Sequence, residues 1–550
     1  MCDELAAAGG DRRKHFERRS PSAGAKNDKV VLLLNQNIVN SRSIPQGVLP
    51  LFSRSLLGGL LLLCLSLTAM GHAKLVRSQP QPKEELSAPP KLVELWFTET
   101  LEPRLNTIEV KDSSGKRVNR GEVVLAEGNK KVQVELGDPI PGIYSVEWKV
   151  LSADQHAIRG SFTFTVASPA HGAGASVPIQ SPVSTSPSPP NTHQEMAMTK
   201  SEDSEDRIFL GRTAVRWLSY LAMILLFGGF AFRSLVLRQA VNKILTGDER
   251  IKADLSGDRR VIKTLWFGAI TLAVTSVLAL VLQTMDVFDK SFIQALSPSV
   301  LAQTLATGYG PSWILQAGTL VAMVLVLLLI SRRSRQNPAA GHPILWWIGL
   351  AAGAAMLIAP TWIGHAMVSA KHFRIALFSD WLHLLAGGFW VGGLFHLALT
   401  WPTVLPTTPT HLRPLALHYL IRFFTRMAMP SVVLLVLAGL YNTWAHIPGI
   451  RALWITPYGQ ALSLKVLLVL VMLLLGGINN YHFGKRAARL VNEREGAAAA
   501  AQLERGFYRS VVLEASLGII VLLVTAVLVF LTPARDHAAM ESGDKVVQQQ

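Results

Sequence analysis

Eight apolar runs of the length that crosses a lipid bilayer constrain this chain more than any other feature. They lie near 209–232, 261–283, 312–331, 343–364, 379–400, 429–446, 461–478 and 511–532. A hydrocarbon layer about 30 Å thick takes ~20 helical residues, and inside it a backbone must satisfy its own polar groups. Residues 208–533 are therefore expected to form an all-α polytopic membrane domain with about eight transmembrane helices, followed by a polar tail, 534–550. Composition agrees, with 50% apolar and only 16% charged residues among 550 and a mean hydropathy of +0.32. Those values exclude an ordinary soluble globule, a disordered chain and a collagen-like one.

Charge sets the expected orientation. The connections near 233–260, 332–342, 401–428 and 479–510 carry Arg233, Arg238, Lys243, Arg332, Arg333, Arg422, Arg426, Lys485 and Arg486, among others, whereas the alternate connections hold Lys290, Lys371, Arg374 and Arg451. Basic residues collect on the cytoplasmic side, so everything before the first run, and the C-terminus, is expected outside a cytoplasmic membrane. The charge of +12 carried after residue 71, from 44 Lys and Arg against 32 Asp and Glu, is then mostly topological. The bilayer is the expected partner, and nucleic acid is not.

Ahead of the membrane domain, Arg54 is followed by an almost wholly apolar run, Leu56 to Leu67, and by Thr68-Ala69-Met70-Gly71. A short apolar run ending in small residues reads as a secretory signal peptide cleaved after Gly71, so 1–71 is taken as an N-terminal extension and signal. Its loss would remove Cys2 and Cys64, the two cysteines, leaving no thiolate for a disulfide, a zinc site or a nucleophile. From 72 to 167 the pattern changes to period 2, with Val93, Leu95 and Phe97, then Val132, Val134 and Leu136, then Tyr144 to Val150, then Phe162, Phe164 and Val166. That is the pattern of an all-β domain, an antiparallel sandwich or barrel of Ig-like or Greek-key type. Residues 168–207, rich in Pro and Ser and then acidic, read as a flexible linker.

Two features of the β domain do not follow from packing. Cleavage after Gly71 would make His72 the N-terminal residue, offering an α-amine and an imidazole to one metal ion. Asp154-Gln155-His156 falls in a polar turn between the last two strands, where alternate side chains point the same way. A nitrogen-rich set of amine, two imidazoles and a carboxylate suits Cu(II); a frayed terminus and a solvated turn would look the same in spacing alone. The stretch His72-Ala73-Lys74-Leu75, with Ser78-x-Pro80, Ala88-Pro89, Phe97-Thr98-Glu99, Tyr144-x-Val146-x-Trp148 and Ser152-Ala153-Asp154-x-His156, resembles the CopC family of periplasmic copper-binding proteins. That resemblance implies Cu(II) bound by His72, Asp154 and His156, with Glu99 near the site. The lack of methionine from 72 to 167 implies the subgroup with a Cu(II) site alone.

Ionisable groups inside the apolar runs mark ion or ligand paths. His365, Asp380, His383 and His446 fall at one outer depth on three successive helices, with Met367, His372 and Met285 nearby, and Asp380 and His383 share a helix face. Lys465 lies deeper, and His396, Asn479, Asn480, His482 and Glu514 lie on the inner side. Gly364-His365, Asp380-x-x-His383, Phe389-Trp390-x-Gly392-Gly393, Arg422-Phe423, Tyr458-Gly459-x-x-Leu462-x-x-Lys465 and Asn479-Asn480 look like the CopD copper-resistance membrane proteins, although Asn480 stands where an arginine is more usual. The domain order is similar to CopC–CopD fusions, which implies copper import or homeostasis, with His365, Asp380, His383, His446 and Met367 as a membrane copper path. An external copper chaperone or reductase is unidentified. Two other functions stay open: a haem-containing membrane oxidoreductase acting on copper, with His365, His383, His396 and His482 as haem ligands, and a copper sensor or store without transport. Either a transporter or a binding protein would not be an enzyme.

Overall fold

The computed structural model describes residues 75–98, 100–137, 140–153, 155, 157–167, 192–336, 342–362, 373–493 and 497–531. Eight strands come first: β1 (Leu75–Gln79), β2 (Glu85–Leu86), β3 (Leu92–Phe97), β4 (Thr107–Lys111), β5 (Asn119–Ala126), β6 (Lys131–Leu136), β7 (Gly142–Leu151) and β8 (Ala157–Val166). They form two four-stranded sheets, ordered β1-β3-β6-β5 and β2-β8-β7-β4. Alternation in the sequence becomes alternation in burial. Val93, Leu95 and Phe97 face Tyr144, Val146, Trp148 and Val150 across the sandwich, and all seven are buried. Full burial of such a side chain is worth roughly 1.5–3 kcal/mol. Aromatic contacts fix the packing, with Phe97 edge-on to Trp148 at 5.1 Å and Tyr144 stacked on Phe164 at 5.2 Å. Asn119, on β5, joins the sheets: its Oδ1 accepts from the Val110 N–H at 3.0 Å and its Nδ2 donates to the Ile108 carbonyl at 3.1 Å. Strand pairing is antiparallel except that β2 runs parallel to β8. That departs from the all-antiparallel expectation, because the short β2 leaves no periodicity to read.

The rest is helical. Among the described residues eight helices are long and apolar enough to cross a membrane: α1 (Phe209–Ile244), α2 (Gly247–Phe288), α3 (Tyr309–Gln336), α4 (Pro343–Trp362), α5 (Arg374–Thr407), α6 (Thr410–Ala445), α7 (Pro457–Val491) and α8 (Ala498–Leu528). Most exceed their apolar runs. Segments near 233–260, 401–428 and 479–510, read from the sequence as connections, are largely helical extensions, because charge ends a hydrophobic run without ending a helix. The backbone ahead of α1 is likewise helical from Thr192, inside the segment expected to be a flexible linker; no proline or glycine interrupts 192–207.

Three π-turns interrupt the spans, at Arg233–Leu237, Gly388–Gly392 and Asn479–Phe483. At the second, α5 meets α1 almost backbone to backbone: a Cβ on Gly392 would lie 2.5 Å from the Ile224 carbonyl oxygen and 2.8 Å from Gly228 Cα. At the first, the buried Arg233 pairs with Asp258 of α2 and lies over the Trp346 ring of α4, 5.4 Å from its centroid. Losing one member of such a pair costs ~3–5 kcal/mol.

Candidate functional site

The turn between β7 and β8 is where the two halves of the chain meet. Gln155 sits at its centre with a positive φ of 70° and 3% exposure. Its backbone carbonyl accepts from Gln283 Nε2 of α2 at 2.6 Å, and its side chain donates to Glu102 Oε2 at 3.1 Å. Gly308, just before α3, lies so close that a Cβ there would come within 2.7 Å of Gln155 Nε2. Around this contact Lys149 pairs with Asp289, Arg159 donates to the Asp286 carbonyl and to Asp289 Oδ1 at 2.6 Å each, and Leu151 and Ala157 pack on Val287. Burial pushes the Lys149 ammonium below its usual pKa, against the opposing pull of Asp289.

Gln283 is also on the wall of a cavity of about 470 Å³ lined by residues of all eight helices at the end nearest the β domain. Its polar lining includes Arg212, Arg216, Tyr309, Asp380, His383 and Lys465. Arg212 is neutralised by Asp286 at 2.5 Å and donates to Gln283 Oε1 at 3.1 Å; Arg216 lies on the Phe530 ring at 4.6 Å. Asp380 accepts from Asn442 Nδ2 of α6 at 2.6 Å, and Asn442 Oδ1 accepts from Ser379 at 2.9 Å. His383 rests against Gly439 of α6, and its Nδ1 is buried without a hydrogen-bond partner among the described residues. The cavity thus offers a carboxylate and an unengaged imidazole nitrogen one helical turn apart, beside the ammonium of Lys465.

Leu473 lines this cavity and a second one, of about 150 Å³, between α5, α6, α7 and α8. Glu514, 1% exposed, occupies the second. Its carboxylate accepts from Asn479 Nδ2 at 2.9 Å and from Trp390 Nε1 at 3.3 Å. Beyond lies a third cavity, of about 490 Å³, lined by His482, Arg486, Arg505 and Arg509.

The structure brings Asp380, His383 and Lys465 to one cavity. It does not place Met285 on that lining. His72, Glu99, Asp154, His156, His365, Met367 and His372, and the side chain of His446, lie outside the described residues. Among the described residues no three His, Cys, Asp or Glu side chains gather as a metal cluster. His396, considered as a haem ligand, is fully buried, with Nε2 at 2.9 Å from the Leu225 carbonyl and its ring against Gly229 and Phe232. Those contacts set its ring between α5 and α1, with Nδ1 buried and without a hydrogen-bond partner among the described residues. Sequence reasoning missed Arg212, Arg216, Tyr309, Gln155 and Gln283. The basic pair at i and i+4 near the start of α1, at the depth of Asp380, was the one available signal.

Comparison with known proteins finds three family models along the chain: the CopC domain over residues 75–167, the Copper resistance protein D-like, N-terminal domain over 205–372, and Copper resistance protein D over 418–528. The copper transport protein CutJ of Bacillus subtilis (strain 168) is 27% identical over 501 residues, covering 88% of this chain and 80% of CutJ. Protein YobA of Escherichia coli (strain K12) is 30% identical over 122 residues, 21% of this chain and 96% of YobA. Copper resistance protein C of Xanthomonas campestris pv. juglandis is 33% identical over 109 residues, 18% of this chain and 84% of that protein.

Proposed function

The chain belongs to the copper transport and resistance proteins that carry a CopC domain and a CopD domain in one polypeptide, and is homologous to CutJ; on that premise we propose that it captures Cu(II) outside the cytoplasmic membrane and imports it. The signal segment is removed after Gly71, and the β domain lies on the periplasmic side. His72, through its α-amine and imidazole, binds the ion together with Asp154 and His156, with Glu99 close by. The ion then passes to the cavity holding Asp380 and His383, where His365, His446 and Met367 complete the outer intake.

One observation carries this reading. Gln155, the residue between Asp154 and His156, is bonded through its carbonyl to Gln283, which lines the cavity of Asp380 and His383. That bond supports delivery of a metal from this turn into the cavity. Covalent attachment adds to this, since a tethered donor presents its cargo at roughly millimolar local concentration.

The test is copper uptake by cells expressing the wild type or His72→Ala, with Cu(II) titration and mass spectrometry of the mature N-terminus. Import through this site predicts a chain beginning at His72, binding weakened by several orders of magnitude in the variant, and slower uptake. Uptake that is equal in the variant and the wild type overturns the reading.

A further inference from the structure

The proposed route accounts for the cavity nearest the β domain and leaves Glu514 unused. Of the described residues lining the second cavity, Glu514 is the only ionisable one. The groups facing it are Asn479 of α7, Trp390 of α5, and Thr425 and Met429 of α6, all without charge; α1, which also packs on α8, adds nothing to the lining. The next ionisable groups, His482 and Arg486, belong to the third cavity. A carboxyl in the interior of a membrane helix with no cationic partner is costly to keep charged and marks an ion pathway.

A second observation concerns Asn479. It is 7% exposed, and while its Nδ2 donates to Glu514 its Oδ1 is buried without a hydrogen-bond partner among the described residues. The two residues therefore suit both protonation states of the carboxyl. The carboxylate accepts from Asn479 Nδ2 and Trp390 Nε1. The carboxylic acid, which gains an O–H donor, finds in Asn479 Oδ1 an acceptor with no other claim on it.

We propose that Glu514 is a proton-binding site, positioned by Asn479 and Trp390, that exchanges a proton with copper movement through the chain. The inference rests on the transport reading above. As a cation passes Leu473 and its charge enters the second cavity, the Glu514 carboxyl releases its proton to water through the third cavity; when the cation has left, a proton from the first cavity, on the β-domain side, replaces it, so that each cycle carries a proton in the same direction as copper. The O–H bond broken in the first step is remade in the second, and no electron is transferred.

Full-length protein in liposomes containing a pH dye tests this, with copper added outside and both copper uptake and lumenal pH followed. The wild type is expected to move protons in step with copper. Glu514→Gln keeps the shape and can still accept from Trp390, yet cannot titrate; its copper-dependent proton flux is expected to fall at least tenfold. Glu514→Asp keeps a titratable group and is expected to retain the flux, which separates the carboxyl's chemistry from its packing. Copper uptake without proton movement in the wild type, or undiminished proton flux in Glu514→Gln, overturns the inference while leaving transport intact. A wild type that moves no copper overturns the transport reading, and this inference with it.

Discussion

Replacing Gln283 by leucine should detach the β7–β8 turn from the helical domain without disturbing either fold. The side chain is 5% exposed and holds two bonds, donating to the Gln155 carbonyl at 2.6 Å and accepting from Arg212 at 3.1 Å. Leucine fills nearly the same space, so no cavity term enters. The Gln155 carbonyl is left buried and unpaired, which costs about 2 kcal/mol within the usual 1–3. Arg212 keeps Asp286 at 2.5 Å and adds little. About 2 kcal/mol is roughly a 30-fold shift toward the undocked state. The surrounding ion pairs of Lys149 and Arg159 are the same in both proteins and cancel in the comparison. Hydrogen-exchange mass spectrometry of the full chain in nanodiscs reads the result as faster exchange in residues 151–160, by up to about 30-fold where exchange follows undocking. The Cu(II) affinity of the β domain should stay unchanged, and on the proposed route uptake should slow. Exchange within threefold of the wild type would refute the assignment of the docking to this bond, as would a variant in which raising salt alone releases the turn.

Gly392→Ala would force a methyl to within 2.5 Å of the Ile224 carbonyl oxygen, and overpacking of this kind costs about 1–3 kcal/mol; thermal unfolding in detergent should show a lowered midpoint, and an unchanged one would mean that α1 and α5 are not in backbone contact. Asp112 accepts from the Ser114 hydroxyl and from the backbone N–H groups of Ser114 and Lys116, and these bonds, the hydroxyl first, hold its carboxyl below 3.8. A depressed folded-state pKa means that stability is present above pH 3.8 and lost as pH falls through the folded value, so Asp112→Asn should be less stable than the wild type at pH 7 and converge with it in acid. A gap independent of pH in denaturation curves would remove the carboxylate from the account.

Some of the architecture was legible because one side of each element is buried. Val93, Leu95 and Phe97 can alternate with polar residues only if one face of a strand meets a core, and the eight apolar runs fall on the eight long helices. β2 was not legible, since Glu85–Leu86 is too short to show a period and pairs with β8 over two residues. Helix ends were misplaced for a related reason: hydrophobicity reports the part of a helix in contact with lipid or core, whereas α2 begins at Gly247, beside Asp248, Glu249 and Arg250, and α6 at Thr410, well ahead of its apolar run. The site divides in the same way. Asp380 and His383 stand out because charge and imidazole are expensive in an apolar run. Gln283 does not, because a glutamine in the outer turns of a helix is ordinary until its partner, the Gln155 carbonyl, is known.

The arrangement along the proposed route bears on how copper could leave what binds it. The β domain would hold the ion with an amine, two imidazoles and a carboxylate. The described part of the next cavity offers Asp380 and His383, with Lys465 beside them and Arg216 on the same wall, and positive charge there opposes long residence of a cation. The second cavity has a single carboxyl. Conduction needs binding that is favourable enough to admit an ion and weak enough to release it, and a falling number of donors meets the second condition at the expense of the first. Each inward step then loses binding free energy, so the route runs inward only if something else supplies it. The sequence contains no G-x-x-x-x-G-K phosphate loop through which ATP could act. A proton exchanged at Glu514, or a sink for copper at the far end, would supply it, and proton exchange predicts a rate that changes with the pH difference across the membrane.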